Sequence, residues 1–167
     1  MNCTLKEFIN KCRVSLTGCL NEQGQDEVLK LVKSVIFDKK LISECFPMGV
    51  SDERRVLFED PELGFCVCGH VYENKKGFPH DHGPTWAIYG QVSGNTKMTD
   101  WERVGAQGSD GSFNAKVSRN YMLRPGDVYM YRVGDIHSAS CSELSKVIRI
   151  EGENTDKIKR SVINVIQ

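Results

Sequence analysis

Residues 86–104 read WAIYGQVSGNTKMTDWERV, and this stretch decides the fold. A short apolar run from Trp86 to Val92 ends at Ser93-Gly94-Asn95, and a second run extends from Lys97 to Val104. Runs of this length that end at Ser, Gly and Asn are typical of β-strands joined by turns. The stretch therefore predicts two consecutive strands.

The same pattern continues over the rest of the chain that follows Ser51. Other short apolar runs end at turn signals such as Asp60-Pro61 and Asn74-Lys75-Lys76-Gly77. Residues 161–167 fit either one more strand or a short helix. Short strands at this regular spacing predict an all-β sandwich or barrel. The further predicted strands are residues 56–58, 65–72, 113–117, 121–123, 128–133, 138–141 and 146–151.

Residues 4–46 show helical spacing instead. Thr4 and Glu7 fit a capping box, in which each side chain accepts a hydrogen bond from the backbone of the other residue. Apolar residues then recur three and four positions apart, as they do on one face of a helix. The predicted helical segments are residues 5–16, 28–36 and 41–46.

The length of 167 residues and a hydrophobic fraction of 40% are those of one folded domain. We predict a single domain over residues 1–167, with a helical extension over residues 1–50 and a β-barrel over residues 51–167. Lysine and arginine total 22, as do aspartate and glutamate, so the formal net charge is zero. This balance disfavours nucleic acid as a partner, because nucleic-acid-binding domains present basic surfaces.

Three features of the sequence bear on location. No apolar run approaches the ~20 residues of a membrane-spanning helix, so no membrane association is expected. The N-terminus lacks the basic and apolar segments of a secretory signal. The seven cysteines are an odd number, which disfavours a disulfide framework and favours free thiols in a reducing compartment. We expect a cytoplasmic protein, and its oligomeric state does not follow from the sequence.

The four histidines are the main candidates for chemistry. His80 and His82 flank Asp81, and residues two apart on a strand point to the same face. Two imidazoles would therefore lie side by side, as a metal site on one strand requires. His70 is expected to be an ordinary strand histidine, and His137 lies far along the chain, after the turn at Gly134-Asp135.

The stretches around these histidines resemble the two sequence motifs of the cupin superfamily. The resemblance covers roughly residues 54–151 and implies that His80, His82 and His137 hold one metal ion. Cupins are jelly-roll barrels, which agrees with the predicted strands. The motif positions that fit in register are His80, His82, Gly94, Gly126, Gly134 and His137.

Ala87 stands where the first cupin motif has a metal-binding glutamate, and no carboxylate occurs from Gly83 to Thr99. The predicted site is therefore three neutral imidazoles, and a divalent ion bound there keeps its full charge. Such an ion can bind a thiolate and a reduced oxygen species together. This ligand set resembles that of the cysteine dioxygenase group of cupins. Residues 80–90, HDHGPTWAIYG, match the HDHGxxWAIYG block of bacterial proteins of that type at every specified position.

The resemblance implies an Fe(II)-dependent thiol dioxygenase that oxidises a small thiol to a sulfinate with O2. Cysteine or a mercapto-carboxylate is the expected type of substrate. Zinc or nickel could replace iron in the isolated protein, because three imidazoles accept many divalent metals. Two alternatives stay open: a cupin that binds a metal or small ligand without catalysis, and a three-histidine cupin enzyme that acts on a non-thiol substrate.

Arginines are the candidates for binding a substrate carboxylate, which a guanidinium holds with two parallel hydrogen bonds. Arg54 and Arg55 precede His80 by about the distance seen for the carboxylate-binding arginine of cysteine dioxygenases. Since side chains alternate along a strand, at most one of the two faces inward. Arg149 and Glu151 occupy two places of the Ser-x-His-x-Tyr row of animal cysteine dioxygenases, which is absent here.

Three more residues are candidates for contact with substrate or oxygen. Tyr89 and Gln91 share strand parity with Ala87, so both are expected to face the barrel interior. Tyr131 lies on a later predicted strand. Each of the three can donate a hydrogen bond to substrate or oxygen. The alternative is that each side chain only packs in the core.

Overall fold

The structure is a computed structural model that describes residues 2–19 and 21–166. Within these ranges, three helices precede the strands: α1 (Leu5–Gly18), α2 (Glu22–Val35) and α3 (Lys39–Cys45). The predicted capping box is present at the start of α1. The backbone N–H of Glu7 donates to Thr4 Oγ1 at 3.2 Å, and the backbone N–H of Thr4 donates to Glu7 Oε2 at 2.8 Å.

The strands form two sheets whose members are mixed in sequence. A five-stranded sheet has the order β1-β2-β8-β3-β6, and a four-stranded sheet has the order β7-β4-β5-β9. All neighbours are antiparallel except β5 and β9, which are parallel. The strands are β1 (Arg54–Glu59), β2 (Cys66–Tyr72), β3 (Ala87–Ser93), β4 (Thr96–Val104), β5 (Phe113–Leu123), β6 (Val128–Tyr131), β7 (Ile136–Ser140), β8 (Ser145–Glu151) and β9 (Ile163–Val165).

The stretch that decides the fold carries the chain from one sheet to the other. β3 lies between β8 and β6, whereas β4 lies between β7 and β5. Gly94 makes the short connection with φ +68°, and a Cβ added there would lie 2.3 Å from the carbonyl oxygen of Leu144. Only glycine fits this turn without a shift in the backbone. Crossing between two sheets in this way is the jelly-roll arrangement.

The five-stranded sheet is buried on both faces. Its outer face packs against the helices, and Gly90 lies so close to α2 that a Cβ would meet Val32 and Ile36 side-chain atoms at 2.9 and 2.8 Å. Its inner face packs against the four-stranded sheet and forms the barrel interior. The inner cluster of buried apolar residues is Tyr72, Ala87, Tyr89, Met98, Leu123, Tyr131, Ala139 and Val147.

The predicted fold, a mainly β jelly-roll with N-terminal helices, is confirmed. Two predicted strands, residues 113–117 and 121–123, are one strand, β5, because the polar residues between them continue the ladder with β4. The last predicted element is the short strand β9, and residue 167 lies outside the described range. Among the described residues, no helix is long and apolar enough to cross a membrane.

Candidate metal centre

Three imidazoles converge inside the barrel. The ring centroids of His80 and His137 are 4.6 Å apart, those of His82 and His137 4.8 Å, and those of His80 and His82 5.6 Å. One nitrogen from each ring lies within 4.8 Å of the other two. His82 and His137 are fully buried, and His80 is partly exposed at the mouth of the site. The structure therefore brings the three predicted ligands together.

The backbone that presents this group differs from the strand predicted for His80 and His82. His80 forms only an isolated bridge with His137, through reciprocal backbone hydrogen bonds of 3.0 Å, and His82 lies in a loop. Prolines at positions 79 and 84 flank the pair, and proline cannot donate to a strand ladder. The bridge fixes His80 against His137, and the loop brings His82 to the same group.

Asp81 stabilises the loop that carries His82. Its Oδ1 accepts hydrogen bonds of 3.1 Å from the backbone N–H groups of Gly83 and Ser161. Gly83 has φ +57°, and a Cβ there would lie 2.7 Å from the carbonyl oxygen of Lys159. The segment after β8 thus covers the loop and keeps His82 buried.

Burial keeps the three imidazoles neutral. Desolvation lowers the pKa of His80 to about 4 and lowers the pKa values of His82 and His137 further below the ordinary range. The nearby guanidinium of Arg149 adds to the lowering of the His82 pKa. A metal binds the unprotonated nitrogen of a neutral imidazole. All three ligands are therefore in the binding form at neutral pH.

The ring nitrogens fit a metal ion. Nδ1 of His80 lies 2.9 Å from the carbonyl oxygen of Phe78, which places the proton on Nδ1 and leaves the Nε2 lone pair free. Nε2 of His82 and Nε2 of His137 both face the hydroxyl of Tyr89, at 3.2 and 3.1 Å. One hydroxyl proton satisfies only one of these two nitrogens. In the described part of the chain, Nδ1 of both rings is buried without a hydrogen-bond partner.

Tyr131 closes one side of the site. Its ring stacks on His137 with centroids 3.8 Å apart and an interplanar angle of 18°. Its hydroxyl is hydrogen-bonded to the hydroxyl of Tyr121, which also donates to Asp100 Oδ1 at 3.1 Å. A cavity of about 180 Å³ reaches Tyr131 from outside. Its lining residues are Asp100, Trp101, Arg103, Tyr129, Tyr131, Gly134, Asp135 and Ile136.

Arg149 lies beside Tyr89, its partner across β3 and β8. Its guanidinium carbon is 4.7 Å from the Tyr89 ring centroid, and its side chain is 5% exposed. Nε of Arg149 lies 3.0 Å from Glu151 Oε1, and Nη2 is buried without a hydrogen-bond partner in the described residues. Burial opposes the charge, but Tyr89 and Glu151 raise the pKa of Arg149. Arg149 is therefore a buried cation beside the candidate metal centre.

Arg54 and Arg55 lie on opposite faces of the five-stranded sheet. Arg54 pairs with His70 across β1 and β2, on the barrel-facing side, where Nη2 donates to Glu151 Oε2 at 2.9 Å and to Asn154 Oδ1 at 3.0 Å. Nη1 of Arg54 is bound to Asp156. Arg55 lies on the other side of the sheet, and its guanidinium donates to the carbonyl oxygen of Cys45 at 2.7 Å. Protein oxygens thus bind both terminal nitrogens of Arg54, and the guanidinium of Arg55 contacts the backbone of α3.

Gln91, another candidate, binds the turn that follows β3. Its side chain is fully buried on the inner face, as its parity predicts, but Nε2 donates to the carbonyl oxygens of Ser93 and Gly94 and to Ser145 Oγ. These bonds stabilise the turn between β3 and β4. The described hydrogen bonds of Gln91 are therefore with this turn.

A second buried group of metal-type ligands was not predicted from the sequence. Cys68, His70 and Glu151 offer ligand atoms within 4.8 Å of one another. Glu151 already neutralises Arg54 and Arg149, however, and two guanidinium groups repel a cation. His70 Nδ1 is bonded to the Tyr72 hydroxyl at 2.8 Å. The three-histidine group is therefore the better metal site, and Glu151 is a charge-balancing residue that sequence spacing cannot reveal.

No protein-family profile matches the sequence, and no curated protein matches it. A cupin superfamily protein from Desulfitobacterium hafniense is similar in structure, with 13% identity, a TM-score of 0.44, and 58% of this chain and 72% of that chain covered. KdgF from Halomonas sp. has 20% identity and a TM-score of 0.46, with 63% and 83% covered.

The cupin domain of Cnp3 from Schizosaccharomyces pombe is 10% identical, with a TM-score of 0.48 and coverage of 66% of this chain and 68% of that chain. Structural neighbours thus include cupin superfamily proteins. At these identities and TM-scores the similarity carries no conclusion about ligand or reaction. The fold assignment rests on the strand order and register given above.

The metal-free protein is expected to lose stability as the pH falls from about 7 to about 5. Burial lowers the pKa of all four histidines, so the unfolded chain takes up protons below pH ~6.5 that the native protein does not bind. Above pH ~6.5 these histidines leave the free energy of unfolding unchanged. Below that pH, the free energy of unfolding falls by about 1.4 kcal/mol per buried histidine per pH unit. Urea unfolding at both pH values measures the loss, and an unchanged free energy would contradict it.

Proposed function

We propose that this protein is an Fe(II)-dependent thiol dioxygenase of the cupin type, which converts a small thiol carrying a carboxylate into a sulfinate. The observation that supports the proposal is the convergence of His80, His82 and His137 without a carboxylate in the group. Three neutral ligands leave the full charge of a divalent ion to be balanced by anionic reactants. When bound, iron would supply the coordination sites at which the thiolate and O2 meet.

The proposed reaction is balanced without a further reductant. The thiol sulfur loses four electrons, both atoms of O2 become sulfinate oxygens, and the thiol proton is released to solvent. The protein holds the two reactants in one orientation and excludes bulk water. The buried ligands His82 and His137, which are both 0% exposed, and the ring of Tyr131 stacked on His137 support this role.

The proposed anchor for the substrate carboxylate is Arg149 and not the arginine pair of β1. Arg149 is buried beside Tyr89, whose hydroxyl reaches the ligand nitrogens, and Nη2 of Arg149 has no partner among the described residues. The guanidinium of Arg54, in contrast, is bound to Glu151, Asn154 and Asp156. A carboxylate on Arg149 would be paired and not left buried alone, which is costly.

The test is reconstitution with Fe(II) without air, followed by O2 uptake and product analysis. The substrate panel contains cysteine and 3-mercaptopropionate, which carry a carboxylate, and cysteamine, which does not. We expect O2 consumption with sulfinate as the product, and a preference for the carboxylate thiols. Bound iron without O2 consumption would favour a non-catalytic metal-binding protein, and turnover of only non-thiol compounds would favour another three-histidine enzyme.

The Arg149→Lys variant tests the anchor. Lysine keeps the buried charge next to Glu151 but cannot make two parallel hydrogen bonds to a carboxylate. We expect KM for 3-mercaptopropionate to rise about 10- to 100-fold, the loss typical of a hydrogen bond to a charged group, with KM for cysteamine unchanged. An equal change for both thiols would assign Arg149 a structural role alone.

A further inference from the structure

The hydroxyl of Tyr89 lies between two of the candidate ligand nitrogens. It is 3.2 Å from Nε2 of His82 and 3.1 Å from Nε2 of His137. Tyr89 is 3% exposed, so the hydroxyl has little access to water. The rings of Tyr89 and His82 lie at an interplanar angle of 25°, with centroids 6.0 Å apart.

These distances are those between neighbouring ligands of one ion. With metal–ligand bonds of ~2.1 Å, neighbouring ligand atoms lie ~3.0 Å apart in an octahedral site and ~3.4 Å apart in a tetrahedral one. The measured 3.1 and 3.2 Å fall within this range. An ion that binds Nε2 of both histidines on the side that faces Tyr89 lies within bonding distance of the phenol oxygen.

Metal binding also removes the present partners of the hydroxyl. Each neutral imidazole has one lone pair, and the ion takes the lone pair of Nε2. The hydroxyl of Tyr89 can then no longer donate to His82 or His137. A buried hydroxyl without a partner is costly, whereas an oxygen bound to the ion is satisfied.

A buried cation lies beside the ring of Tyr89. The guanidinium of Arg149 lies 4.7 Å from the centroid of the Tyr89 ring, on a residue that pairs with Tyr89 across β3 and β8. Ala87, which stands at the usual glutamate position, is on the same face of β3 two residues earlier. Tyr89 thus offers a phenol oxygen from the next inward position of the same strand.

We propose that the phenol oxygen of Tyr89 is the fourth protein ligand of the ion held by His80, His82 and His137. The inference rests on the metal-binding part of the proposed function, and a phenolate from Tyr89 would leave one charge of a divalent ion to be balanced by the thiolate. Four protein ligands leave two positions of a six-coordinate ion for exchangeable ligands. Tyr89 adds one oxygen to the three nitrogen ligands, so the protein supplies a mixed nitrogen and oxygen set.

Tyr131 provides a matched control. It is also a buried tyrosine against His137, with ring centroids 3.8 Å apart, but its ring lies parallel to the imidazole. Its hydroxyl is bonded to Tyr121 and so is occupied by a partner outside the metal site. The Tyr131→Phe and Tyr89→Phe variants therefore remove the same atom from two neighbouring rings, of which only one is proposed to bind the ion.

The experiment uses the full chain loaded with Fe(II) without air and then oxidised to Fe(III) with ferricyanide. Iron(III) bound to a phenol oxygen absorbs visible light by charge transfer, and resonance Raman excitation in that band enhances tyrosine ring vibrations. Elemental analysis gives the iron content of each sample. We expect the visible band and the ring vibrations in the wild-type protein and in Tyr131→Phe, and their loss in Tyr89→Phe with iron still bound.

Several outcomes would overturn the inference. Wild-type protein with stoichiometric iron but no tyrosine vibrations would leave the proposed function standing and remove Tyr89 from the ligand set. A band that persists in Tyr89→Phe would assign the ligand to another tyrosine. Wild-type protein that binds no iron would overturn both this inference and the metal centre. If a variant fails to fold, the absence of tyrosine vibrations from the iron-loaded wild-type protein still overturns the inference.

Discussion

Replacing Glu151 by glutamine is expected to lower the free energy of unfolding by about 3–5 kcal/mol. Glu151 is fully buried, and each of its oxygens neutralises one guanidinium: Oε2 lies 2.9 Å from Arg54 Nη2, and Oε1 lies 3.0 Å from Arg149 Nε. Glutamine keeps the shape but removes the charge, so two cations lose their common partner inside the barrel. Removing one member of a buried ion pair is costly because the remaining charge stays desolvated.

Glu59→Gln is the matched control for this prediction. Glu59 is an exposed carboxylate on β1 that accepts hydrogen bonds from Asn154 and Lys157, close to the same network. Exposed ion pairs contribute little, so we expect no measurable destabilisation. Urea unfolding of both variants, monitored by circular dichroism, measures the difference. A loss for Glu151→Gln that is no larger than that of the control would show that water or other groups compensate Arg54 and Arg149.

Much of the fold could be predicted from local sequence because turns and short apolar runs are local signals. The run from Trp86 to Val92 and the turn at Gly94 predicted β3 and its end within one residue. Local signals do not contain the choice of pairing partner, however. β3 pairs with β8 and β6, and β8 lies more than fifty residues further along the chain. The polar segment within β5 gave no strand signal because its side chains are exposed.

The ligands of the candidate site could also be predicted from local sequence, whereas their surroundings could not. The spacing of His80 and His82 and the distant His137 predicted a group of ligands that the structure brings together. The surroundings depended on contacts between residues far apart in sequence. The guanidinium of Arg54 binds Glu151 and Asp156, which lie about one hundred positions later in the chain. No local sequence pattern predicts that pairing.

The His137→Ala variant is expected to lose nearly all bound metal. His137 is fully buried and lies 4.6 and 4.8 Å, ring centroid to ring centroid, from His80 and His82. Without it, two imidazoles remain, and a divalent ion held by fewer protein ligands exchanges readily with buffer. We expect metal content after dialysis to fall at least about tenfold, which corresponds to ~1.4 kcal/mol or more of binding free energy.

The His70→Ala variant is the matched control, since it removes another buried histidine of the same barrel. His70 belongs to the second group, with Cys68 and Glu151, and its Nδ1 is bonded to Tyr72. Elemental analysis of both folded variants separates the two groups. Loss of metal in His137→Ala with full metal in His70→Ala places the ion on the three histidines. The reverse result would place the ion beside Cys68, His70 and Glu151 and would remove the three-histidine site on which the proposed function rests.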